Sequence, residues 1–198
     1  MSMIVACIAA LASVALNIVV LVSSDPDENV TRKLNWSHGM QKEPCSINGC
    51  FKIYLGVTDF ITQTDSVQTK TDWSSNECSA SFCNKCEETM KAVLAFSALC
   101  LVFSVPSLFI NCCRATYSGN TGCTKYCSIF LTFFAVVCGI IAVVSFSQGC
   151  KKPVVNYTTD TVTWYDGPAW ILMVIVSALK FLDFMINLCV PYVDIIRV

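Results

Sequence analysis

Four long apolar stretches set the plan of this chain. Residues 3–22 carry no charge, and residues 90–110, 126–146 and 168–190 carry few. Each is long enough to cross the ~30 Å hydrocarbon core of a bilayer as a helix. Residues 23–89 form a long polar loop, residues 111–125 a short turn, and residues 147–167 a second, shorter loop. Ser-Ser-Asp-Pro-Asp-Glu-Asn at 23–29 is a helix-ending, turn-forming composition. Phe51, Ile53, Leu55 and Val57 alternate at period two, the pattern of a half-buried strand. Residues 66–73 and 155–164 are weaker strand candidates. Pro106 would bend the second span, and Pro191 closes the fourth. Ala6, Ala9, Ala10, Ser13 and Ala15 in the first span, and Ala135-x-x-x-Gly139 in the third, are small faces on which helices can pack closely. The pattern predicts one tetraspan domain over residues 1–198. Its fold class is an all-α membrane protein, a left-handed four-helix bundle capped by a small disulfide-pinned extracellular β-sheet.

A cleaved signal peptide competes for residues 3–22, because Val-Ser-Ser at 22–24 is a passable cleavage site. The positive n-region is missing, however, and the apolar run exceeds the usual ~7–15 residues. A retained first helix is expected.

Composition agrees with a membrane protein. Of 198 residues 55% are hydrophobic and only 14% charged, where a soluble domain has roughly a quarter charged. A net charge of −1 gives no ground for a nucleic-acid partner. The 14 cysteines are too many for packing alone, and they assign the sides. Cys45, Cys50, Cys78, Cys83 and Cys86 in the long loop and Cys150 in the short one make an even set suited to disulfides. The expected local bridge joins Cys45 or Cys50 to the 78–86 cluster, with Cys150 tying the second loop to the first. Asn-x-Ser/Thr acceptors fall on the same face at Asn29, Asn35 and Asn156. Glycans are expected on Asn35 and Asn156, with Asn29 too close to the first helix for good access. Loop charges do not decide orientation, since Arg114 and Lys125 on one side face Lys151 and Lys152 on the other. Sequons and cysteines place both termini in the cytoplasm of a plasma-membrane protein.

The chemistry is sparse. Cys78-x4-Cys83-x2-Cys86 could be zinc ligands, but zinc wants four reduced ligands and the sequence has one histidine, His38. Disulfides fit better, and no metal or cofactor is expected. Asp25-x-Asp27-Glu28 lacks the glycine and terminal glutamate of a calcium loop. Ser37 and His38 are adjacent, which is not how a nucleophile and its base are presented, and no hydrolase, metalloprotease or phosphate-loop motif occurs. A non-enzymatic protein is expected. Cys112 and Cys113, with Cys123, Cys127 and Cys189, lie at the cytoplasmic helix ends. They are candidates for palmitoylation or buried small hydrophobes. Lys180 and Asp183 fall mid-span at i, i+3, with Ser177 and Asn187 extending their face. An intramembrane charge is costly, so this stripe should point into the bundle or at a partner as an ion pair.

The order of parts is helix, long cysteine-bearing loop with strand patterns, three helices and a short second loop. It resembles the claudin and peripheral-myelin-protein superfamily, and within it the amastins. Cys50-Phe51-Lys52-Ile53-Tyr54-Leu55-Gly56 is similar to the start of the amastin signature, with one extra residue and Phe60 where the closing cysteine would stand. Cys45-Ser46-Ile47-Asn48-Gly49-Cys50 is a second partial match, and Trp36 precedes a cysteine pair as in claudins, whose Gly-Leu-Trp triplet is absent. Tetraspanins place their long loop between helices three and four. The resemblance implies a surface glycoprotein that presents its long loop for interaction or adhesion. It would sit in a lipid bilayer among other membrane or extracellular proteins, as a homo- or hetero-oligomer. The alternative is an accessory subunit of a channel or transport complex.

Overall fold

The computed structural model describes residues 3–25, 27–42, 50–64, 67–74, 78, 80, 82–115, 122–158 and 161–190. In chain order these form helix α1 (Met3–Val22), short helix α2 (Glu28–Lys33), strands β1 (Ser37–Gln41), β2 (Lys52–Leu55), β3 (Asp59–Thr64) and β4 (Val67–Asp72), and helices α3 (Cys83–Arg114) and α4 (Gly122–Ser145). A π-helical turn (Phe146–Lys151), helix α5 (Lys152–Thr158), strand β5 (Val162–Asp166) and helix α6 (Pro168–Cys189) complete them. The four long helices have the length and apolar character to cross a membrane.

Side-chain burial explains why these helices pack together. The inward residues of α3 are Met90, Val93, Ser97, Cys100, Ser104, Ser107, Asn111 and Arg114. Met3, Ala6, Ala10, Ser13, Asn17 and Val20 line α1, and Ala169, Met173, Val176, Lys180, Asp183 and Asn187 line α6. All three rows advance by alternating steps of three and four, the 3.5-residue repeat of left-handed coiled coils. The helices form a ring in the order α1, α3, α4, α6. Ile8, Val102, Phe109, Phe130 and Phe181 point outward, an apolar surface suited to lipid. Gly139 lets α4 and α6 approach: a methyl there would lie 2.5 Å from the Ser177 hydroxyl.

The five strands pair antiparallel in the order β4-β3-β2-β1-β5. β5 comes from the second loop and aligns Asp166 with Ser37, so both loops build one sheet. Ile53, Leu55 and Val57 on its inner side join Trp36, Trp73 and Phe146 in the main core. The Trp36 ring lies 5.3 Å from Phe146, and its indole N–H donates to Ser23 Oγ at 3.0 Å. That contact ties the sheet to the ends of α1 and α4.

Several boundaries differ from the sequence expectation. α3 begins at Cys83 instead of residue 90 and absorbs Arg114, and α4 continues through the π turn and α5 to Thr158. Hydropathy marks where hydrocarbon ends, but backbone bonds carry a helix past that level whenever its side chains find partners. The short loop is therefore mostly helix, and its strand is 162–166, not 155–164. α3 passes through Pro106 without ending. β1 and β3 have no clear expectation in the sequence. β1 reads Ser-His-Gly-Met-Gln and lacks apolar alternation, yet its Gly39 fits there because a methyl would meet Val162 and Trp164 at 2.6 and 3.1 Å.

Candidate functional site

The heptad positions of the bundle change character along its length. Near the sheet they are apolar, with Val20, Met90, Phe146 and Ala169; in α3, α4 and α6 they become polar from mid-span to the far end, whereas α1 ends there on apolar Met3 and Ala6. Lys180 and Asp183 are fully buried on α6, with Lys180 Nζ 3.6 Å from Asp183 Oδ2. Asn111 donates to Asp183 Oδ1 at 2.7 Å, and Asn187 donates to the same oxygen at 2.9 Å. Ser107 Oγ stands 3.5 Å from Oδ2. Ser128 of α4 donates to Asn111 Oδ1 at 2.7 Å, and Arg114, 2% exposed, donates to Asn187 Oδ1. α3, α4 and α6 thus share one hydrogen-bonded network around a carboxylate. The stripe points into the bundle and not toward lipid. The apolar pattern leaves Arg114 to the turn; the structure places this guanidinium in the network. Serine and asparagine at a helical 3–4 spacing in residues 97–114 were the signal for it.

The described cysteines fall into two chemical classes by position. Cys86 pairs with Cys150, joining the first turn of α3 to the π turn above α4, and Cys78 pairs with Cys83. Cys50 is also disulfide-bonded, while Cys45 lies outside the described residues. The expected bridge from Cys50 to the 78–86 cluster is not formed, because all three cluster cysteines bond elsewhere. Helix α3 starts early enough to carry Cys86 to the bundle, where α4 brings Cys150. At the opposite end Cys112, Cys113, Cys123, Cys127 and Cys189 are exposed and not disulfide-bonded. Exposure removes the buried-hydrophobe reading of these five. Cys100 and Cys138 are buried thiols in the bundle core.

The sequons sort differently from expectation. Asn35 is 3% exposed, its Nδ2 donates to the Arg32 carbonyl at 2.9 Å, and Gly167 packs against it. A glycan on that nitrogen is incompatible with this packing. Asn29 and Asn156 are exposed. Asn29 stands in the first turn of α2, and its exposure against the burial of Asn35 reverses the expected order of access.

The only histidine lies on β1 and stacks between Tyr165, at 5.4 Å, and Tyr54, at 6.3 Å. Burial lowers the His38 pKa, partly opposed by nearby Asp166. Ser37 turns the other way and donates to the Tyr165 carbonyl at 2.7 Å, so the pair lies on opposite faces of the strand. Asp59 sits at the mouth of β3, accepting from Thr31 at 2.9 Å with Lys70 3.2 Å away. Its desolvation outweighs both partners and raises its pKa. Among the described residues no group of three His, Cys, Asp or Glu side chains is placed to hold a metal ion. No protein-family model matches the chain, and no curated protein matches it.

Proposed function

We propose that this chain is a non-enzymatic, multi-pass cell-surface glycoprotein of claudin-like and amastin-like type. It presents the sheet end of its bundle for interaction or adhesion. The observation that carries the reading is the segregation of sulfur chemistry along the bundle axis. Disulfides persist on the oxidising side of a membrane and thiols on the cytosolic side. Every described cysteine at the sheet end is bonded, and the five exposed at the far end are not. That supports an extracellular sheet with cytoplasmic ends for α1 and α6. Exposed Asn29 and Asn156 share the sheet side, where glycans are attached, and exposed thiols on the other side suit palmitoylation of Cys112 and Cys113.

Intact cells expressing the chain are treated with a membrane-impermeant maleimide, with and without an impermeant reductant. Labelling only after reduction is the expected result, whereas labelling of intact cells without reductant would invert the topology. Mixing these cells with cells lacking the chain then tests adhesion, with mixed aggregates expected.

A second reading rests on the polar core. Hydrogen-bonding and charged groups run continuously from Lys180 to Arg114, an arrangement used in proton and ion relays. It would make the chain a subunit of a transport or channel complex. Lys180→Leu/Asp183→Leu with normal assembly but lost transport would favour this reading over the first.

A further inference from the structure

The outward side of the sheet carries a basic groove. Strand register sets His38 opposite Tyr54 and Tyr165, and Met40 opposite Lys52, so these side chains share the face turned away from the bundle core. α2 packs over part of that face through the Thr31–Asp59 hydrogen bond. Between the end of α2 and strands β1 and β2 remains a cavity of about 300 Å³, lined by Arg32, Lys33, Asn35, His38, Lys52 and Tyr54 among others. Its size falls at the lower end of small-ligand sites.

Three features of the lining define what it would take. Charge is the first: three permanent cations and the histidine line it, with no carboxylate. Lys70, Lys91, Lys151 and Lys180 all have acidic partners, whereas among the described residues Arg32, Lys33 and Lys52 have none. The second is an unmet acceptor. Asn35 is 97% removed from solvent, and its Oδ1 has no hydrogen-bond partner, nor has His38 Nδ1. The third is the aromatic wall of Tyr54 and His38, whose stacked rings offer a flat face to a sugar or cyclitol ring.

We propose that this groove binds a phosphate ester of a polyhydroxylated ring, either free or as the headgroup of a lipid. The phosphate lies against Arg32, Lys33 and Lys52, and the ring covers Tyr54. The N-terminal turn of α6 begins at Pro168 beside the groove, which places it at the level where a bilayer presents headgroups. The site does not depend on which side of the membrane the sheet faces.

Because His38 is the only histidine, its ring signals in ¹³C-histidine NMR report the groove without assignment. The charged and titratable groups around it are Arg32 and Lys33 of α2, Lys52 and Tyr54 of β2, and Tyr165 and Asp166 of β5. Full-length protein in phosphatidylcholine nanodiscs is titrated with glucose 6-phosphate, with glucose and sodium chloride of equal ionic strength as controls. A bound dianion should raise the imidazole midpoint by about 1 pH unit, since an opposite charge at this range favours the protonated ring. Nanodiscs containing phosphatidylinositol test the lipid source. A shift with glucose 6-phosphate assigns a free ligand, and a shift only with phosphatidylinositol assigns a headgroup. Arg32→Gln/Lys52→Gln should abolish either shift while leaving the ring signals and melting temperature in place. No shift from either source, or a shift that persists in the double variant, overturns the proposal.

Discussion

Asp183→Leu is the most informative single substitution in the bundle. It strands Lys180 Nζ, now 3.6 Å from the carboxylate and fully buried, and it removes the acceptor of the 2.7 Å bond from Asn111. Asn187 keeps its 2.9 Å bond to the Asp183 carbonyl and is not stranded. Removing one partner of a buried ion pair costs ~3–5 kcal/mol, whereas lost side-chain bonds within membranes average ~0.6 kcal/mol because the unfolded helices find other partners. The charge term therefore dominates, and the single variant should lose about 4 kcal/mol. Lys180→Met/Asp183→Leu removes both charges and leaves chiefly the orphaned Asn111, so it should lose only about 1 kcal/mol. Asp183→Asn retains an acceptor for Asn111 and isolates the charge. Unfolding in micelles can be read with a thiol-reactive fluorogenic dye, because Cys100 and Cys138 are buried reporters once half-buried Cys7 and the exposed far-end cysteines are changed to serine. If Asp183→Leu costs no more than the double variant, the pair does not act as a buried ion pair and the reasoning fails.

Three further outcomes are expected. Cys86→Ser should destabilise the protein by about 4 kcal/mol, more than the ~2 kcal/mol expected for Cys78→Ser, because the first bridge spans 64 residues and the second 5; denaturant midpoints of the two variants decide it, and equal losses would contradict the loop-length argument. For His38 the folded pKa lies below its ordinary 6.5, so the folded state binds fewer protons there and stability falls as pH drops from 6.5 toward the folded value. Asp59 has the opposite sign, since its raised pKa makes stability fall as pH rises from 3.8 through the folded value; in melting curves from pH 8 to pH 4 the wild type should lose stability as pH falls below 6.5 while His38→Gln stays flatter there, and equal slopes would refute the His38 assignment. In a glycosylating host, Asn29→Gln and Asn156→Gln should each change electrophoretic mobility and Asn35→Gln should not; a shift from Asn35→Gln would show that the sheet end packs otherwise.

The four apolar spans were legible in the sequence because bilayer insertion is a local demand: each segment must satisfy its own backbone and cover ~30 Å with apolar side chains, whatever its neighbours do. The alternation at Phe51–Val57 is likewise local, and β2 appears where it predicts. The inward stripe of Lys180, Asp183 and Asn187 followed from the cost of charge in lipid, which leaves it only one direction to point. What the sequence could not supply were facts about pairs distant along the chain. Cys86 meets Cys150 only because two helices run past the hydrocarbon level side by side. Asn35 is buried only because Gly167, more than a hundred residues away, closes over it. β1 is a strand by virtue of its neighbours β2 and β5, not of its own residues. Arg114 enters the polar core because α3 continues past the apolar run that marked it. Local preference dictates which segments form; the register between them, and with it the basic groove and the carboxylate network, is decided when the segments pack.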